Sequence, residues 1–153
     1  MSSNLEQTLT DMIQAEDSEL YFYETQTVKE NDNLIFRVFI KSPNRSITID
    51  DCVKVNNLIS PYLDVYPPTS GQYFLEVSSP GIERIVKDLK HFKLSINEKF
   101  KIKLQDKTDI NGTLIEIDEN NSSIKLKEKD NEEIRTILLS DIVKAKTYFD
   151  FES

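Results

Sequence analysis

A chain with one histidine, one cysteine and three glycines has few routes to covalent, metal or phosphate chemistry. His91, in Lys90-His91-Phe92, has no second histidine to work with. One histidine and one cysteine do not make a usual structural zinc site, so His91 reads as a surface or boundary residue. Cys52 lies on the apolar stripe of a predicted helix, and no basic residue is evident on that stripe to activate the thiol. It reads as core packing. Gly71, Gly81 and Gly112 are too widely separated to build a phosphate-cradling loop. Asp50-Asp51 suit the first turn of a helix better than an acid/base pair, and Glu116, Asp118 and Glu119 suit a solvated turn. The alternating oxygen ligands, glycine and terminal glutamate of a calcium loop are missing. The expectation is a binding protein, not an enzyme, with no metal and no cofactor.

Charge is the more informative chemistry. The net charge is −8 over 153 residues. Through Gly81 five Lys/Arg face twelve Asp/Glu, giving −7; from Ile82 onward fourteen bases face fifteen acids, giving −1. An acidic front half repels phosphates and attracts cationic partners. The segment from Arg84 to Lys107 reverses this, with eight Lys/Arg against Asp88, Glu98 and Asp106, or +5. Period-two geometry sends Lys99, Lys101 and Lys103 to one side of a strand and Phe100, Ile102 and Leu104 to the other. That lysine row is either a solvated face or a patch that meets phosphate or acid. No aromatic interleaves on the lysine side of the strand, so a stacking platform for single strands is not expected.

The elements that must position these residues follow from periodicity. Ser3-Asn4-Leu5-Glu6 has capping-box spacing, and Leu5, Leu9, Met12 and Ile13 form one helical stripe. Leu20–Val28 and Leu34–Lys41 read as two strands joined by a short Asn/Asp loop, a hairpin. Thr48 reads as the N-cap of a helix carrying Cys52, Val55, Ile59 and Tyr62, ending before Pro67-Pro68. A third strand, Gln72–Ser78, follows. Helix, two strands, helix, strand predicts an α+β layer with two helices on one face of a three-stranded sheet.

Pro80-Gly81 suits the centre of a type II turn, with positive φ at Gly81, so a β-branched residue there is expected to be poorly tolerated. Lys87–Leu94 has the length of about two helical turns. Lys99–Leu104, Ile110–Asp118, Ser123–Lys127, Ile134–Leu139 and Val143–Tyr148 read as five short strands of a small β-barrel. Ser140-Asp141-Ile142 resembles the tight turn before the last strand of SH3-like barrels. The expected division is an acidic α+β domain over residues 1–81 and a linker plus SH3/Sm-like barrel domain over 82–153. No apolar run reaches membrane-spanning length, and the opening MSSNLEQTLTDM has no secretory-signal pattern, so a cytoplasmic protein with no membrane partner is expected.

Tyr73-Phe74-Leu75-Glu76-Val77-Ser78-Ser79-Pro80-Gly81-Ile82-Glu83-Arg84 resembles the ribosome maturation factor RimP family, which shows a strand ending in LEVSSPG, then an apolar residue, an acid and an arginine. Thr48–Cys52, His91-Phe92, Glu98–Lys103, Gly112–Ile115 and Ser140–Lys146 resemble further family segments in the same order. The family commonly continues with proline and leucine, where this chain has Ile85-Val86. Loss of a φ-fixing proline predicts a less rigid linker.

The resemblance implies an α+β domain followed by an SH3/Sm-like barrel, and a non-catalytic role in ribosome biogenesis, as a chaperone of 30S small-subunit assembly. Its implied partners are the 30S precursor and a basic small-subunit ribosomal protein near the decoding centre, with rRNA contact open. The chain is expected to act as a monomer. A direct RNA binder built on the barrel is the alternative. The expected partner-binding residues are Ser78, Ser79, Pro80, Gly81, Glu83 and Arg84, with Lys99, Lys101 and Lys103.

Overall fold

The computed structural model describes residues 3–148 and divides between Pro80 and Gly81 into two units. Helix α1 (Ser3–Glu16), strands β1 (Tyr21–Glu30) and β2 (Asn33–Lys41), helix α2 (Ile49–Val65) and strand β3 (Phe74–Ser78) form the first. The predicted cap by the Ser3 side chain lies outside the described residues. β1 and β2 are antiparallel and turn through Asn31 and Asp32, with φ of 51° and 67°. Two positive-φ residues are the type I′ arrangement whose twist matches a right-twisted hairpin, and Asn and Asp tolerate it. β3 lies parallel to β2, so α2 serves as the crossover that such pairing requires.

Leu9 and Ile13 of α1 and Val55, Ile59 and Leu63 of α2 pack on Phe22, Phe36, Val38 and Ile40 of the sheet. Cys52 joins this cluster at its margin, as its stripe position implies, and burial raises its thiol pKa. Leu63, not Tyr62, completes the fully buried stripe. The two helices therefore cover one face of the sheet, as the order of elements predicts.

The start of α2 is fixed by a reciprocal cap. The Thr48 hydroxyl accepts from the Asp51 amide at 3.1 Å, and the Asp51 carboxylate accepts from the Thr48 amide at 2.9 Å. Arg45 then donates to both carboxylate oxygens of Asp51, at 2.6 and 3.1 Å, and to Glu19 at 2.9 Å. Asp51 is 5% exposed. The Arg45 guanidinium, helped by the Thr48 donors, holds its carboxyl well below the usual carboxylate range. A depressed folded-state pKa contributes stability that is fully present above the unfolded value and lost as pH falls toward the folded one. The stability advantage of wild type over Asp51→Asn should thus be constant near neutrality and shrink below about pH 4. Urea unfolding at stepped pH checks this; an advantage unchanged into strong acid would contradict it.

The second unit holds α3 (Leu89–Lys93) and strands β4 (Lys99–Leu104), β5 (Asp109–Asp118), β6 (Ser123–Glu128), β7 (Ile134–Leu138) and β8 (Ile142–Tyr148), with a 3-10 turn at Leu139–Asp141. The strands form one antiparallel sheet in the order β7-β6-β5-β4-β8. Its core gathers Phe92, Phe100, Ile102, Leu114, Ile124 and Leu126, with Phe92 stacked on Phe100 at 5.6 Å.

Two expectations are corrected here. Gly81 does not have positive φ, and a Cβ at that position would meet only the Glu83 carbonyl at 3.8 Å. The type II reading fails, and with it the expected intolerance of substitution. The glycine that the fold requires is Gly112. The stretch around Ile85-Val86 pairs with β8. Ile85 bridges Lys146 in antiparallel fashion, and the Val86 amide donates to the Ala145 carbonyl at 2.9 Å. Val86 is itself buried in the second core. Helix α3, at Leu89–Lys93, is also shorter than the predicted Lys87–Leu94.

Candidate functional site

Strand alternation in β4 follows the expected sides: Phe100 and Ile102 are buried, Lys101 and Lys103 exposed, Lys99 half-buried. The partner strand decides what that row becomes. In the β4–β8 ladder Lys101 lies directly opposite Lys146, and Lys103 directly opposite Lys144. Directly opposed residues of an antiparallel pair share a face, with Cβ atoms about 4.5–5.5 Å apart. The four lysines therefore form a two-by-two array on the outer face, bordered by Asp109 and Asn111 of β5.

Like charges in direct opposition destabilise a sheet, and this chain places two such pairs side by side. None of the four lysines makes an ion pair among the described residues. Elsewhere in the unit acids are routinely supplied: Lys93 pairs with Glu119, Lys125 with Glu116 at 3.0 Å, and Arg84 with Glu98 at 2.9 Å. At the end of the array Tyr148 lies opposite Lys99, and the Lys101 ammonium sits 4.9 Å from the centre of its ring. An aromatic thus does flank the lysines, contributed by another strand. Sequence reasoning missed Lys144, Lys146 and Tyr148, although the alternation Lys144-Ala145-Lys146, with only alanine inward, carried a signal.

Arg84 is held by several partners within its own unit. Its guanidinium takes both oxygens of Glu98, at 3.0 and 2.9 Å, in a fork. It also donates to the Ser95 hydroxyl at 2.8 Å and the Gly81 carbonyl at 3.0 Å. Ser95 in turn donates to the His91 carbonyl at 2.7 Å. The Arg84 side chain is only 12% exposed. Its amide donates to the Thr147 hydroxyl at 3.1 Å, and its carbonyl accepts from the Thr147 amide at 2.9 Å. Arg84 fastens the segment after Gly81 to the sheet. It is a structural clamp.

Of the remaining expected contact residues, Ser78 ends β3 in the first unit, opposite Phe39 of β2, and its hydroxyl donates to the Ser79 carbonyl at 3.2 Å. Ser79 is exposed and Pro80 half-buried at the end of that unit; Gly81 and Glu83 are exposed at the start of the second. His91 is half-buried on α3, 4.0 Å from Asp88. No cluster of three or more metal-ligating side chains occurs among the described residues. No described helix is long and apolar enough to cross a membrane.

The described residues present an acidic α+β unit and a sheet carrying a lysine array. Residues 9–83, nearly the whole of the first unit, match the model of the RimP N-terminal domain. Through that domain the chain belongs to the RimP family of ribosome maturation factors.

Proposed function

We propose that this protein is a non-catalytic assembly factor for the 30S ribosomal subunit, acting in the cytoplasm as a monomer. The observation that carries the proposal is the RimP N-terminal domain match on the unit that bears a net −7 through Gly81. A ribosome maturation factor with an acidic domain suits a basic client. The partner is a basic small-subunit ribosomal protein near the decoding centre, engaged alone or within a 30S precursor. Residues 1–81 serve as the acidic partner domain. Residues 82–153 serve as linker and SH3/Sm-like barrel, whose five antiparallel strands and 3-10 turn before β8 support that reading. Ser78, Ser79, Pro80, Gly81 and Glu83 remain the proposed contacts of the connecting segment, and Arg84 supports them from within.

The test is retention of the full chain on immobilised basic small-subunit ribosomal proteins, across a salt series. Retention on at least one such protein, falling as salt screens the acidic domain, is expected. Failure to bind any of them, with binding to naked small-subunit RNA intact, would instead favour a direct RNA-binding protein.

A further inference from the structure

The β4–β8 lysine array is hard to explain by folding. Two like-charge pairs oppose each other across one ladder, and the acid beside them, Asp109 opposite Lys103, sets one carboxylate against four ammonium groups. A chain of net −8 does not need four clustered lysines for solubility. Such a cluster is explained if an external anion completes it. Its geometry says which kind. Successive lysines on one strand face are about 6.6–6.8 Å apart, close to the spacing of consecutive phosphates along a nucleic-acid strand. Two such tracks run side by side. The face between them is made of Lys, Asp109 and Asn111 and carries no exposed apolar anchor. A protein partner requires a desolvated, largely apolar centre, whereas a phosphate backbone requires only charge and register. Tyr148 at the margin adds a ring within reach of a base or ribose beside that backbone.

We infer that the outer face of β4 and β8, through Lys101, Lys103, Lys144 and Lys146, is a contact surface for an RNA phosphate backbone. Identifying that RNA as ribosomal rests on the assembly-factor reading; phosphate recognition stands on the array itself. The surface would let one protein hold a cationic client on its first unit and an RNA segment on its second.

The experiment uses the full chain and a labelled RNA stem-loop of mixed sequence. Four phosphate contacts give a log–log salt slope of roughly −2.8 to −3.6, which is a loss of about 50- to 150-fold in affinity between about 50 and 200 mM salt. The fourfold variant Lys101→Gln, Lys103→Gln, Lys144→Gln, Lys146→Gln should lose most of that slope and bind at least tenfold more weakly at low salt. A charge-matched control substitutes Gln at Lys29, Lys54, Lys90 and Lys93, which are exposed and lie on neither β4 nor β8; it should keep the wild-type slope. The melting temperature of the array variant should be unchanged or raised, because two like-charge oppositions are removed. Equal weakening in both variants would show general charge only and overturn the inference. So would wild-type RNA binding by the array variant, or displacement of RNA by poly-glutamate at matched charge concentration, which would make an acidic protein the occupant. The assembly reading is judged separately, on ribosomal subunit profiles: RNA binding with normal profiles sinks that reading alone, and altered profiles without the slope sink this one alone.

Discussion

Arg84→Ala should cost about 2–3 kcal/mol of stability in the second unit, and Arg84→Lys should recover little of it. The alanine leaves the Glu98 carboxylate without its fork and frees the Ser95 hydroxyl and Gly81 carbonyl contacts together. A lysine keeps the charge but offers a single ammonium, which cannot meet two carboxylate oxygens and a hydroxyl in one plane. The readouts are the denaturant midpoint and the rate of proteolysis at residues 82–86, the segment that Arg84 pins to Thr147 and β8. Both should worsen in both variants. If Arg84 were instead a charge presented to a partner, lysine would preserve stability and binding alike. A lysine variant as stable as wild type would contradict the clamp.

Gly112→Val should be still more damaging, about 3 kcal/mol or more. Gly112 pairs with Phe100 on one side and Glu128 on the other. A Cβ there would stand 2.4 Å from the Lys127 carbonyl oxygen and 2.9 Å from its carbon. Both are backbone atoms of a central ladder, so no side chain can move aside. β5 and β6 would have to part. A unit of some seventy residues has only about 4–10 kcal/mol to lose, so the second unit should forfeit a large share of its stability. Gly81→Val provides the contrast, because a Cβ there would meet the Glu83 carbonyl at 3.8 Å, an ordinary contact; its change should stay within about 0.5 kcal/mol. Hydrogen exchange across β5 and β6 would locate the damage in the first variant. Equal stability of the two variants would mean that the close approach at Gly112 is not real.

These glycines show what a sequence can and cannot carry. Local features were legible: the Asn31-Asp32 hairpin, the Thr48 cap with Asp51, and the alternation of β4 are set by residues within a few positions of each other. Features set by register between distant strands were not. Pro80-Gly81 has the composition of a type II turn, yet Gly81 lacks the positive φ that such a turn needs, and the next backbone pairing, Ile85 with Lys146, is with a strand some sixty residues on. Nothing near Gly112 reveals that Lys127 will lie over it. The candidate site divides in the same way. Half of the lysine array was visible as a period-two row in β4, while Lys144 and Lys146 join it only because β8 pairs with β4 across some forty residues of chain. Arg84 was recognisable as a family position, but its role as a clamp depends on Glu98 and Ser95 reaching it from the far side of α3.

The central claim is that the protein serves maturation of the small ribosomal subunit, and the sucrose-gradient profile of ribosomal subunits from cells lacking it tests that claim most directly. The account predicts fewer mature small subunits, accumulated immature small-subunit particles and large subunits that still mature, with the wild-type chain restoring the profile. A profile indistinguishable from the parent strain, in slow and in fast growth alike, would contradict it.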